Sequence, residues 1–72
     1  MEGKFSVEIK EHIAVIGEGT KGWKKELNIV SWNGREPKYD IRDWDAEHEN
    51  CGKGIGLTKE EAKKLYEALS KI

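Results

Sequence analysis

Between Pro37 and Trp44 the chain alternates strictly. Tyr39 and Ile41 fall on one side of an extended backbone, and Lys38, Asp40, Arg42 and Trp44 on the other. One face reads as core, the other as cationic and aromatic. The same two-residue period runs from Lys4 through Phe5, Val7 and Ile9, and the odd parity persists at Ile13 and Val15 beyond Glu11-His12. Glu-His is poor turn chemistry, so the two runs read as one long strand bent by a bulge. Trp23 to Trp32 is rich in β-formers and closes on Asn33-Gly34, a pair suited to the two positive-φ positions of a type I′ turn. It is expected to pair antiparallel with Lys38 to Trp44, Pro37 standing where a strand begins.

Asp45 to Gly52 is a polar loop, and Lys53 to Leu57 a short edge strand. Thr58-Lys59-Glu60-Glu61 is a capping box, in which the Thr58 hydroxyl accepts from the Glu61 backbone and the Glu61 carboxylate reaches back. Ala62, Leu65, Tyr66, Leu69 and Ile72 then recur at three- and four-residue steps, one apolar face of a helix. The predicted fold is α+β: a four-stranded antiparallel sheet followed by one C-terminal helix. One helix cannot cover both faces of four strands, so apolar surface should remain for a partner or a second copy.

Length sharpens that expectation. Residues 1–72 make a single domain, and a chain this short buries only about 60% of the surface its unfolded form exposes. Cys51 is the one cysteine, so no intrachain disulfide forms, and no Cys/His zinc set is present. Pairing into a homodimer is the remaining way to enlarge the core. No apolar run resembles a signal peptide or the ~20 residues of a membrane span. A cytoplasmic protein without membrane contact is expected.

The net charge of −1 argues at face value against nucleic acid. Its distribution argues otherwise. From Thr20 to Arg42 the cations Lys21, Lys24, Lys25, Arg35, Lys38 and Arg42 outnumber Glu26, Glu36 and Asp40. Three tryptophans are more than a small core requires, and exposed rings beside cations suit base stacking. Trp32 and Trp44 share faces with cations, whereas Trp23 is a candidate for core or for a dimer seam as well.

Other patterns dissolve on inspection. Gly17 to Gly22 has G-x-G-x-x-G spacing after a strand, but a hairpin follows where a dinucleotide fold needs a helix. Asp43 to Glu49 lacks the glycine and closing glutamate of a calcium loop, having His48 and Gly54 at those places. Gly52-Lys53-Gly54 lacks the upstream glycine and following Ser/Thr of a Walker loop. Cys51 and His48 are three apart without an oriented base, and His12 reads as a bend residue. No enzymatic role, metal or cofactor is expected.

Lys21-Gly22-Trp23, Glu26-Leu27-Asn28, Val30-Ser31-Trp32-Asn33, Glu36-Pro37-Lys38-Tyr39-Asp40-Ile41-Arg42 and Gly52-Lys53-Gly54-Ile55 together resemble the C-terminal domain family of the transcriptional coactivator positive cofactor four. Its bacterial YdbC-type relatives are nearer still, and the resemblance covers essentially the full chain. It implies a dimer whose sheets bind single-stranded DNA with little sequence preference. Arg42 takes the place of the family's strand arginine, and Lys53 that of the lysine in its Lys-Gly-Ile block. Trp32 resembles the aromatic before the hairpin turn, Arg35 lies near the turn lysine, and Trp44 matches an aromatic at the strand end. The chain departs from the coactivator at Asp45, where a second aromatic stands, at Gly52, where a cation stands, and in lacking the Ser-rich tail.

The resulting expectation is a homodimeric binder of single-stranded DNA, with RNA as a further ligand, in transcription or DNA maintenance. The transcription machinery is a further partner, and a bacterial, nucleoid-associated setting fits. Lys21, Lys24, Lys25, Arg35, Lys38, Arg42 and Lys53 would neutralise phosphates; Trp32 and Trp44 would stack, with Trp23 a further contact. The alternative is a protein-interaction module that docks a partner on its apolar sheet face.

Overall fold

A computed structural model describes residues 6–72, so the readings at Lys4 and Phe5 lie outside the described residues. The strands are β1 (Val7–Glu18), β2 (Lys24–Trp32), β3 (Lys38–Trp44) and β4 (Cys51–Leu57), and the helix is α1 (Lys59–Leu69). They form one antiparallel meander in the order β1-β2-β3-β4, followed by α1.

Local chemistry accounts for each boundary. At Asn33-Gly34 both central residues have positive φ, 53° and 73°, and the Arg35 amide donates to the Trp32 carbonyl at 2.9 Å, which closes a type I′ turn. The glycine-rich segment after β1 is a hairpin loop: Lys21 and Gly22 take positive φ, and the Trp23 amide donates to the Thr20 carbonyl. Thr58 and Glu61 cap α1 reciprocally, at 3.1 Å and 2.9 Å. β4 begins two residues earlier than the alternation indicates, because an extra residue in β4, opposite the stretch between Arg42 and Trp44, lets Cys51 pair with Trp44.

β1 is one strand, as its poor turn chemistry indicates, but it carries three register shifts. They fall between Ile9 and Glu11, His12 and Ala14, and Val15 and Gly17. Each adds a residue, so the positions opposite Val30, Asn28 and Glu26 are Ile9, His12 and Val15. Parity therefore fails along β1: the side facing these β2 residues recurs every third residue.

The larger correction concerns which face is closed. Glu26, Asn28 and Val30 of β2 and Asp40 and Trp44 of β3, on the side that the sequence marks as cationic and aromatic, are buried. Leu27, Ile29, Tyr39 and Ile41, on the side read as core, are only half-buried. The reason is coverage. α1 rests against β3 and β4 alone, leaving an apolar groove of about 450 Å³ lined by Ile16, Leu27, Tyr39 and Ile41 across from Ala62, Leu65, Tyr66 and Leu69. The other face closes on itself through paired polar side chains.

Candidate nucleic-acid interface

The hairpin of β2 and β3 sets Glu26 opposite Arg42 and Asn28 opposite Asp40, all on one face. Asp40 and Arg42 are two apart on a strand, hence on the same side. The guanidinium grips the carboxylate with two bonds, Nε to Oδ1 at 2.6 Å and Nη2 to Oδ2 at 2.8 Å, and its Nη1 donates to the Gly52 carbonyl at 3.4 Å. Burial alone would lower the Arg42 pKa, but the Asp40 carboxylate outweighs it and the value rises. The guanidinium carbon also lies 4.6 Å from the centroid of the Trp32 ring, a cation–π contact.

Gly54 makes this possible. It sits opposite Arg42 in the β3–β4 ladder, and a Cβ there would collide with the Arg42 Cβ and the Ile41 carbonyl. With glycine in place, Trp32, Arg42, Cys51, Gly52 and Lys53 line one shallow cleft of about 640 Å³. An indole and two cations from three different strands thus meet in one depression.

Further along the same face, the Glu26 carboxylate ends a chain of donors. The His12 ring Nδ1 lies 2.7 Å from the Asn28 Oδ1, the Asn28 amide donates to Glu26 Oε1 at 3.1 Å, and the His48 Nε2 lies 2.8 Å from Glu26 Oε2. Both carboxylate oxygens accept, so His48 carries its proton on Nε2. Burial alone would raise the Glu26 pKa; the bonds from Asn28 and His48, with the nearby His48 and His12 charges, hold it below the usual glutamate range. His48 has φ of 60° and belongs to a loop shaped by Asp45, whose carboxylate accepts from the Glu49 and Asn50 amides and the Asn50 side chain. The Asn50 side chain is the largest cause of the lowered Asp45 pKa.

The candidates fall into groups. Trp32, Arg42 and Lys53 come together. Lys24 and Trp44 line a second recess on the same face, with Glu26 and His48. Trp44 requires correction: it is 2% exposed, with the His48 ring 5.7 Å away centroid to centroid, so its ring offers no open face for stacking. Lys25 is on the opposite face from Arg42, 3.5 Å from its cross-strand neighbour Asp43. Lys21 and Trp23 lie in the β1–β2 turn, Arg35 in the β2–β3 turn, and Lys38 is exposed at the start of β3. The seven cations do not form one continuous surface.

Asp40, Asn28, Glu26, His12, His48 and Gly54 have positioning parts that the sequence reading does not assign. The Asp40–Arg42 pair is legible in principle, since opposite charges two apart on one strand face are neighbours. His48 and Glu26 are 22 residues apart, and no local pattern joins them.

Residues 20–68 match the family described as Transcriptional Coactivator p15 (PC4). A protein of Treponema pallidum (strain Nichols), described as an uncharacterized protein, is 37% identical over 68 residues, which cover 94% of this chain and 80% of that protein. Among the described residues, no helix is long and apolar enough to cross a membrane.

Proposed function

The chain belongs to the Transcriptional Coactivator p15 (PC4) family, a nucleic-acid-binding family, and from that premise we propose a homodimeric single-stranded DNA-binding protein acting in transcription regulation or DNA maintenance. The observation that carries this reading is the meeting of Trp32, Arg42 and Lys53 in one cleft. A base stacked on an indole gains about 1–3 kcal/mol whatever its identity, and cations beside it neutralise phosphates. Such contacts carry little sequence information, which supports broad binding of single strands, RNA included. A duplex keeps its bases stacked and offers none for Trp32.

The dimer rests on the opposite face. The groove beside α1 is lined almost wholly by apolar side chains, and Leu69 and Ile72 are 57% and 97% exposed at the helix end. A second copy would bury this surface and enlarge a core in which, among the described residues, only Val30 and Trp44 are fully buried hydrophobics.

Fluorescence anisotropy with a labelled single strand of about 20 nucleotides tests the reading. The expected result is tight binding that falls by orders of magnitude between low and moderate salt, with a matched duplex competing poorly. Absence of binding at low salt would sink it. Salt-insensitive capture of a protein on the apolar groove would favour the interaction-module alternative.

A further inference from the structure

Two residues beyond Arg42 along β3, on the same face as the Trp32 cleft, a recess of about 310 Å³ opens between Val15, Lys24, Glu26, Trp44, Ala46 and His48. This is the lower end of the ~300–1,000 Å³ range of small-molecule pockets, with room for one ring system. Its polar group is unusual. Glu26 is 4% exposed, yet one of the donors holding it, His48, comes from an exposed loop residue with φ of 60°. The other donor, Asn28, is fully buried and held from behind by His12. A carboxylate has about four acceptor positions, so the His48 position is both shared and exchangeable. Trp44 lines the same recess, and its indole N–H is buried without an acceptor. A buried donor left without an acceptor is destabilising until something pairs with it. Lys24 stands exposed at the rim.

We propose that this recess takes one base of a bound single strand, selected for an edge that donates hydrogen bonds to the Glu26 carboxylate. The inference rests on the single-strand reading and adds a base-selective position to it. The incoming N–H replaces the His48 Nε2–H on Glu26, the loop yields, and a base acceptor reaches the Trp44 indole N–H. Lys24 meets an adjoining phosphate. Guanine fits best, because its ring N–H and amino group are two parallel donors for the two carboxylate oxygens. Adenine and cytosine supply one amino group each. Thymine is disfavoured, because its single ring N–H lies between two carbonyls that the carboxylate repels. Selectivity is thus confined to one nucleotide, while stacking and phosphate contacts elsewhere remain indifferent to sequence.

The test compares the intact protein's affinity for an oligo-dT of about 20 nucleotides with that for the same strand carrying one central dG. One dG should tighten binding about tenfold, in keeping with a bidentate base contact. Glu26→Gln should abolish most of that gain, read as the ratio of the variant's own affinities for the two strands. Because Glu26 is buried, His48→Ala provides an independent variant: it removes the competing donor and should enlarge the gain. Equal affinity for the two strands in the wild type, or a gain undiminished in Glu26→Gln, overturns this inference while the single-strand reading stands. Failure to bind either strand overturns both.

Discussion

Neighbouring residues of β3 make the contrast between the two faces of the sheet. Asp40 and Trp44 are 1% and 2% exposed, whereas Tyr39 and Ile41, which alternate with them, are only half-buried beside a groove. Polar side chains close one face through partners within the chain, Asp40 with Arg42 and Glu26 with Asn28 and His48, leaving the Trp44 indole N–H without one. Apolar side chains have no such directional partners, and their burial depends on the area laid over them. One short helix against β3 and β4 supplies too little. The polar face is therefore complete within one chain and ready to meet a ligand, and the apolar face asks for another surface.

Four substitutions and a titration would break or sharpen this contrast. Arg42→Ala should have the largest effect, because it strands a buried carboxylate. Removing one partner of such a pair costs about 3–5 kcal/mol of stability, to be read by denaturant unfolding, and strand binding should weaken with it. On the other face, Leu69→Asp should leave each chain's fold intact but shift sedimentation from the two-chain to the one-chain mass, at about 1.5–3 kcal/mol of lost burial. Trp32→Ala should weaken binding of every single strand by about 1–3 kcal/mol, measured by anisotropy. Lys53→Ala should be milder: stability within about 0.5 kcal/mol of the parent and a slope of log affinity against log salt smaller by about 1.

The smallest effect is a pH dependence. Glu26 has a depressed pKa in the folded chain, so it binds its proton more readily unfolded than folded. Its contribution is present above the unfolded value, roughly pH 4.3, and is lost as the pH falls through the lower folded value. Thermal unfolding followed from neutral to acid pH should show this loss in the parent and a shallower one in Glu26→Gln.

Much of the fold was legible because its signals are local. Asn33-Gly34 specifies its turn, Thr58 to Glu61 specify the helix start, and the alternation of Lys38 to Trp44 specifies β3. The closed face was not legible for equally physical reasons. Alternation tells which residues share a side but not what covers that side. The three shifts in β1 replace the two-residue period with a three-residue one, which brings His12 rather than an odd-numbered aliphatic opposite Asn28. Trp44 could be assigned to the face of Arg42, but its burial depends on a loop whose His48 reaches β2 across 22 residues. Of the candidate site, Trp32, Arg42 and Lys53 could be picked out by residue type, strand face and family resemblance; that Lys25 points away follows only from the face it shares with Asp43.

The central claim is that the polar face meets the single strand while the apolar face meets a second copy. Backbone amide chemical shifts recorded by NMR during titration with an unlabelled single strand test it most directly. The largest changes should fall at Trp32, Arg42 and Lys53, with Leu27, Ile41 and Leu69 little affected. Changes concentrated along the groove beside α1, with the Trp32 cleft silent, would contradict the account.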